Sequence, residues 1–258
     1  MTLTTQMRIL DFQNILNMRD FGGYHGKYGL LSSGRLFRSA HLNNASSKDL
    51  EKLRALDIGL IVDLRYLAER ERQPNKWPAG HGAKTLAFDA TRSGQAPHEA
   101  FMQNDLNVAE DARQYMLASY SDRPGNASFQ AIFRDTLLNM AGESDSLLVH
   151  CAAGKDRTGT LVALIQALLG MSDADIMEDY MLTMTAVNVD SFLSPAALMM
   201  EKRFGRPYDP ESLRPMFGVE AQYLEAALKN MGEPEKYAVD VLGLTADQMA
   251  KVRSNYIA

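Results

Sequence analysis

A ten-residue segment from His150 to Gly159 carries side chains that together could transfer a phosphoryl group. It holds the only cysteine of the chain, Cys151, and Arg157 follows that cysteine with five residues between them. A cysteine thiolate is a strong nucleophile, and a planar guanidinium can bind two oxygens of a tetrahedral oxyanion at once. The spacing therefore predicts attack of Cys151 on a phosphorus atom that Arg157 holds, through a covalent phosphocysteine.

The elements predicted on either side place this segment at an anion site. Residues 146–149 are short and apolar, as in a buried strand, and an apolar helix is predicted from Thr158 to about Leu169. Free backbone N–H groups and the positive end of the helix dipole converge where such a helix begins, and both stabilise a thiolate. The residues predicted to bind phosphate are Ala152, Ala153, Gly154, Lys155, Asp156 and Arg157.

Four neighbouring residues have supporting roles that follow from their types. Gly154 permits a backbone geometry that a side chain would oppose, and Lys155 adds positive charge at the rim of the site. The Thr158 hydroxyl is predicted to donate to the Cys151 sulfur, and His150 is predicted to orient the loop through its ring nitrogens. No metal or other cofactor is required, because amides and the guanidinium supply the charge stabilisation.

Strands alternating with helices predict an α/β fold with a mostly parallel central sheet flanked by helices. Buried strands are predicted at 60–64 and 146–149, with a weaker strand at 84–88. Helices are predicted near 46–57, 99–120, 126–137, 218–230 and 245–256, and a further helix is predicted to start at Ser172. We expect one domain over residues 1–258, with irregular insertions near 90–125 and 186–216 that lie over the site.

Composition and charge limit the partners that can be expected. The 258-residue chain has a formal net charge of −5, which argues against general binding of nucleic acid or of anionic membranes. It has no apolar run of the roughly 18 residues that span a bilayer, and no signal peptide is evident. A lone cysteine fits a reducing compartment, so a cytoplasmic location is predicted. Composition and charge do not determine the oligomeric state.

Four separate motifs make the chain resemble the cysteine-dependent protein tyrosine phosphatase superfamily, and within it the PtpB-like branch of bacterial tyrosine/serine phosphatases. The motifs are Asn17–Gly23, Arg38-Ser39, Asp63-Leu64-Arg65 and Gly154–Gly159. The resemblance implies a tyrosine phosphatase-like fold with extra helices that form a lid. It also implies hydrolysis of phosphotyrosine, with phosphoserine, phosphothreonine or phosphoinositides as further substrates, and in some relatives secretion without an evident signal peptide.

The residue that protonates the leaving oxygen is not determined by the cysteine–arginine spacing. A phenolate or alkoxide leaving group needs a proton in the transition state. The resemblance implies Asp156, directly before the loop arginine, as that general acid. Asp89 and Asp122 are alternatives, because many tyrosine phosphatases place the acid on a separate mobile loop.

Two further charged pairs have roles that the residues alone leave open. Asp63 and Arg65 follow a strand that should neighbour the active-site strand. Asp63 could hold Arg157 in place, Arg65 could contact the substrate, or the two could form a structural ion pair. Arg19 and Asp20 are predicted to form a structural pair at a turn, since two glycines follow them.

Two alternative functions also follow from the sequence. A phosphoinositide or inositol-polyphosphate phosphatase is favoured by the extra charge of Lys155, although the acidic net charge gives it no support. A catalytically inactive phosphate-binding module is disfavoured, because Cys151 and Arg157 are both present.

Overall fold

A five-stranded sheet lies at the centre of the computed structural model, which describes residues 5–89, 109–142 and 145–258. In spatial order its strands are β1 (Arg19–Asp20), β4 (Leu36–Ser39), β7 (Ser146–His150), β5 (Ile58–Asp63) and β6 (Lys84–Ala87). Strands β4, β7, β5 and β6 run parallel, and β1 pairs antiparallel with β4. Two short strands, β2 (His25–Gly26) and β3 (Gly29–Leu30), form a separate hairpin. The prediction of a mostly parallel sheet is confirmed.

Helices cover both faces of this sheet. They are α1 (Thr5–Arg8), α2 (Ser47–Ala55), α3 (Leu67–Arg72), α4 (Ala109–Asp122), α5 (Ala127–Gly142), α6 (Asp156–Leu168), α7 (Asp173–Met181), α8 (Thr183–Ala186), α9 (Asp190–Phe204), α10 (Arg214–Phe217), α11 (Ala221–Met231), α12 (Pro234–Lys236) and α13 (Ala246–Tyr256). Short 3₁₀ turns lie at Arg123–Gly125 and Pro210–Leu213, and a π-helical turn lies at Tyr237–Val241. No helix in the described ranges is long and apolar enough to cross a membrane.

The core lies on both faces of the sheet. Leu60 and Leu147 pack in a large cluster with residues of α5 and α6, whereas Ile61 and Leu148 pack on the opposite face with Leu53 of α2. Side chains alternate between the two faces of a strand. Because both faces are buried here, the strands are apolar throughout, which is typical of parallel sheets.

Two stretches differ from the sequence-based expectation. Residues 186–216 were expected to be irregular, and that expectation is wrong: α9 and α10 occupy much of this segment. Pro195 lies inside α9, and a proline normally ends a helical pattern because it lacks an N–H donor. The first part of the helix expected at 99–120 falls outside the described residues, and α4 begins at Ala109.

Candidate active site

The loop Cys151–Lys155 joins the end of β7 to the start of α6. The helix begins at Asp156, two residues before the predicted start, so its first turn already contains Arg157. Cys151 is only 1% exposed and lies with Arg157 at the floor of a cavity of about 310 Å³. The end of a parallel strand followed by a helix N-terminus therefore places the thiol and the guanidinium at one site, as the spacing predicts.

Donors from outside the loop bind its carbonyl oxygens. Asn17 Nδ2 donates to the carbonyls of Ala153 and Gly154 at 3.1 and 3.0 Å. Arg38 Nη2 donates to the Gly154 carbonyl at 3.0 Å, and the His41 amide donates to the Ala152 carbonyl at 3.1 Å. These hydrogen bonds hold the backbone of the loop in place from its carbonyl side.

Gly154 has the backbone conformation that makes glycine necessary in this loop. Its φ angle is +67°, in the left-handed region that side chains disfavour. A Cβ at this position would also collide with the backbone carbonyl of Ser39 on the neighbouring strand β4. Glycine therefore lets the loop curl against β4.

A buried carboxylate, Asp179 on α7, holds the residues that brace the loop. Its oxygens pair with Arg38 Nη1 at 2.6 Å and with Arg19 Nε at 3.2 Å. Arg19 also donates to the side-chain oxygen of Asn17. Burial opposes ionisation of Asp179, but the two guanidinium charges outweigh it and hold the pKa of this carboxyl below its usual range. The expected Arg19–Asp20 pair is wrong, because Arg19 binds Asp179 instead.

Arg157 is held by Glu69 of α3, through two parallel hydrogen bonds. Nη1 lies 2.6 Å from one carboxylate oxygen, and Nη2 lies 2.9 Å from the other. Arg157 Nη1 also donates to the Leu64 carbonyl at 3.1 Å. Burial disfavours the guanidinium charge, but the hydrogen bonds to Glu69 and the negative charge of Cys151 raise the pKa of Arg157 above its ordinary value. Arg157 therefore stays positively charged at the position where a phosphoryl group would bind.

Asp63 does not hold Arg157, so that alternative is wrong. Its carboxylate binds Arg65, with Nε at 2.9 Å from Oδ1 and Nη2 at 2.7 Å from Oδ2. Arg65 is 2% exposed and also donates to the Gln73 carbonyl at 2.6 Å. This geometry is that of a structural ion pair, and Arg65 does not line the cavity in the described part of the chain. Asp63 does pair in register with His150, which confirms that the two strands are neighbours.

His150 is buried at the end of β7 and bonded through both ring nitrogens. Nδ1 lies 3.4 Å from the Cys151 carbonyl, and Nε2 lies 3.1 Å from Asn75 Nδ2. Burial lowers the pKa of His150, so the ring is neutral. A carbonyl only accepts and an amide nitrogen only donates, so the proton lies on Nδ1. The ring thus ties the backbone of the nucleophile to Asn75.

Residues 10–258 of this chain match the model of a tyrosine phosphatase family. The chain belongs to that family. The predicted family, the mostly parallel phosphatase-like fold and the enzyme class are therefore confirmed.

Relatives of this phosphatase occur in Cupriavidus necator and in Mycobacterium tuberculosis. A Cupriavidus necator protein assigned as a tyrosine-protein phosphatase is 30% identical over 254 residues, which cover 96% of this chain and 88% of that protein. The triple specificity protein phosphatase PtpB of Mycobacterium tuberculosis is 31% identical over 231 residues, 79% of this chain and 82% of PtpB. Among solved structures, one match is the core catalytic domain of the PP-IP phosphatase SIW14 from S. cerevisiae in complex with citrate. This match covers 81% of this chain and 93% of the SIW14 chain, at 15% sequence identity and a TM-score of 0.33.

The walls of the cavity in this phosphatase come from the two segments expected to lie over the site. The helix α4 and the turn after it contribute Met116, Ser119 and Arg123. Met199 comes from α9, and Met216 and Phe217 come from α10. Most of the side chains that form these walls are therefore apolar.

Asp156 lies at the wall of the same cavity, whereas Asp89 and Asp122 do not line it in the described part of the chain. Burial disfavours ionisation of Asp156, but the charges of Lys155 and Arg123 outweigh burial and lower its pKa. Hydrogen bonds from Lys155 and Tyr120 act in the same direction. Both alternatives, Asp89 and Asp122, are exposed.

Lys155 does not place its charge at the rim, which corrects the expectation. Its side chain is only 8% exposed. Nζ donates to the carbonyls of Met216 and Gly218 at 2.8 and 3.0 Å, and to Asp156 Oδ1 at 2.9 Å. The ammonium group therefore ties the loop to the backbone that follows α10.

Thr158 is fully buried in α6, and its hydroxyl makes no hydrogen bond with any residue in the described ranges. The predicted bond from this hydroxyl to the Cys151 sulfur is therefore not formed in this structure.

Three important residues of the site were not predicted. Glu69 carries a local signal, because its carboxylate caps α3 by accepting from the Tyr66 amide three residues earlier. That spacing indicates a helix start but gives no hint of Arg157. Asp179 and Tyr120 have no signal in the sequence, since their partners lie far away along the chain.

Proposed function

We propose that this phosphatase hydrolyses phosphotyrosine in proteins through a phosphocysteine on Cys151. The observation that carries the proposal is the convergence of Cys151, Arg157 and Asp156 on one cavity at a helix N-terminus. A nucleophile, an oxyanion-binding group and a proton donor within one site are what phosphoryl transfer to a side chain requires.

In the first step the Cys151 thiolate attacks phosphorus, so that an S–P bond forms as the P–O bond to the substrate breaks. Arg157 and the loop amides bind the non-bridging oxygens, whose negative charge must be stabilised during transfer. Asp156 gives its proton to the leaving oxygen, so a neutral phenol departs. His150 supports the nucleophile through its contacts with the Cys151 carbonyl and with Asn75.

In the second step water attacks the phosphocysteine. Its proton passes to Asp156, the S–P bond breaks, and inorganic phosphate leaves the thiolate behind. The same carboxylate thus acts first as acid and then as base.

The cavity walls favour an aromatic substrate over a polyphosphorylated one. Methionine and phenylalanine side chains form the walls, and thioethers contact aromatic rings favourably. Of the cations that line the described part of the cavity, Lys155 and Arg123 already bind protein groups, and Arg157 belongs to the floor. This arrangement supports phosphotyrosine as substrate more than an inositol polyphosphate. The similarity to PtpB, a triple specificity protein phosphatase, supports phosphoserine and phosphothreonine as further substrates here.

We also infer that α4 with α9 and α10 acts as the lid.

The first test is hydrolysis of para-nitrophenyl phosphate in the presence of a chelator. Wild-type protein should turn this ester over, and Cys151→Ser should lower kcat by at least about a thousandfold, because a hydroxyl at neutral pH is a poor nucleophile. Undiminished turnover by Cys151→Ser would contradict the phosphocysteine mechanism. Parallel assays on phosphotyrosine peptides, phosphoserine peptides and phosphoinositides would then rank the substrates, and phosphotyrosine should have the highest kcat/KM.

A further inference from the structure

The carboxylate of Asp156 is bound through one oxygen only. Lys155 Nζ donates to Oδ1 at 2.9 Å, and the Tyr120 hydroxyl donates to the same oxygen at 2.8 Å. Within the described ranges no residue donates to Oδ2. The side chain is 23% exposed and lines the cavity. Oδ2 is therefore the oxygen that can carry a proton to a bound substrate.

Tyr120 is held rigidly near the end of α4. It is fully buried, and its ring packs edge-on against Tyr180 at a centroid distance of 6.3 Å. The Tyr223 ring lies 5.7 Å away, and the Arg123 guanidinium lies 4.3 Å from the Tyr120 centroid. With its ring fixed on several sides, the hydroxyl has a defined position against Asp156.

The direction of the hydrogen bonds follows from the chemistry of the groups. An ionised carboxylate only accepts, so Tyr120 must donate its proton to Asp156. The Tyr180 hydroxyl lies 2.7 Å from the Tyr120 oxygen, so Tyr180 donates to Tyr120 in turn. Burial, followed by the nearby charge of Asp156, raises the pKa of both phenols well above 10. Both hydroxyls therefore stay protonated and remain donors.

We propose that Tyr120 is a positioning residue for the general acid, which together with Lys155 fixes Oδ1 so that the proton on Oδ2 faces the leaving oxygen. This inference rests on the proposed function, in which Asp156 is the acid. In the first step the Oδ2–H bond breaks and its proton moves to the leaving oxygen as the P–O bond breaks. In the second step the attacking water gives a proton back to Oδ2 as the S–P bond breaks.

The test uses two substrates that depend differently on the acid. Para-nitrophenyl phosphate has a leaving group that departs with little help, whereas phenyl phosphate, like phosphotyrosine, needs a proton because its phenol has a pKa of about 10. Tyr120→Phe removes one oxygen and keeps the ring. We expect kcat/KM for phenyl phosphate, which reports the first step, to fall about tenfold, a part of what general acid catalysis contributes, and kcat/KM for para-nitrophenyl phosphate to fall less than about threefold.

Tyr180→Phe is the matched control, because it removes a buried hydroxyl one bond further from Asp156. It should change the ratio of the two rates by less than about twofold, since the donor to Oδ1 is still present. In an Asp156→Asn background, Tyr120→Phe should have no selective effect, because a residue that acts through the acid has nothing left to position. A merely structural role would lower both rates alike in either background.

The outcomes separate this inference from the proposed function. Equal losses on both substrates, or no loss on phenyl phosphate, overturn the role of Tyr120 while Cys151-dependent turnover of the wild type still stands. Turnover that does not depend on Cys151 overturns both. If Tyr120→Phe does not fold, the double variant Tyr120→Phe/Tyr180→Phe is measured instead with the same expectations, because it leaves no hydroxyl stranded between the rings.

Discussion

At the scale of single residues, the guanidinium that we propose to bind the phosphoryl group depends on one buried carboxylate. Glu69 binds Arg157 through both of its oxygens at 2.6 and 2.9 Å. Without this partner the buried guanidinium would lose its paired carboxylate and keep the Leu64 carbonyl and the nearby charge of Cys151. Glu69 therefore both orients Arg157 and compensates its charge.

We expect Glu69→Gln to lower kcat/KM about a hundredfold, because a small displacement of a binding group can cost that much. It should also lower the free energy of unfolding by about 3 kcal/mol, since it breaks a buried ion pair by removing one partner. Steady-state kinetics and urea unfolding measure the two effects. Glu71→Gln, an exposed change on the same helix, should leave both unchanged, and equal behaviour of the two variants would contradict the role of Glu69.

The pH dependence of turnover also belongs to this scale. Asp156 is an acid only when it is protonated, and the charges of Lys155 and Arg123 outweigh burial to lower its pKa. For phenyl phosphate, kcat/KM should therefore be highest at acidic pH and decline as pH rises through the lowered pKa of Asp156, which lies below the ordinary aspartate value of about 4. Asp156→Asn should remove this decline. A wild-type rate that stays flat as pH rises through this pKa would move the acid to another residue.

Some of these residues could be predicted from the sequence, and others could not. Cys151, Gly154 and Arg157 lie within seven positions, so their spacing alone indicates a shared site. Glu69 lies 88 residues from Arg157, and Asp179 lies 141 residues from Arg38. Such pairs form only when the sheet and its helices bring distant segments together, and no local pattern encodes them.

At the scale of elements, the loop Cys151–Lys155 is shaped by the strand beside it. The loop turns at Gly154 with φ of +67°, and the carbonyl of Ser39 on β4 lies against this turn. Arg38, also on β4, donates to the Gly154 carbonyl. The parallel pairing of β4 with β7 thus fixes the loop before any ligand binds.

Gly154→Ala tests this fit, because it adds a Cβ that meets backbone and forces a residue other than glycine into the left-handed region. We expect it to lower kcat for para-nitrophenyl phosphate at least about a hundredfold and to lower the melting temperature. Gly142→Ala, at the exposed end of α5 with no atom near the added Cβ, is the control and should change neither. Normal turnover by Gly154→Ala would show that the loop does not need this geometry.

Elements with a clear local pattern could be predicted, and those with conflicting signals could not. The strands at 58–63 and 146–150 are short and apolar and lie close to their predicted positions. The strand β4 was missed among glycines and turn residues, although it borders the loop. Helix α9 was missed because Pro195 interrupts its pattern, and packing of Leu193 and Met200 into the core outweighs that cost.

At the scale of the whole molecule, the cavity is assembled from segments spread along most of the chain. Its floor comes from residues 151–157, and its walls come from α4, α9 and α10. Lys155 joins floor and wall by donating to the Met216 and Gly218 carbonyls. The overall field of a chain with a net charge of −5 opposes the approach of an anion, so the proposed phosphate site depends on the cationic groups that these segments bring together.

The most direct test of the account is the mass of the intact protein, quenched in acid during turnover of an aryl phosphate. We predict a population heavier by one phosphoryl group, with the group located on the peptide that contains Cys151. The matched Cys151→Ser protein should show no such population under the same quench. A phosphoryl group on any other residue, or rapid turnover with no covalent species that Cys151→Ser removes, would contradict the phosphocysteine mechanism.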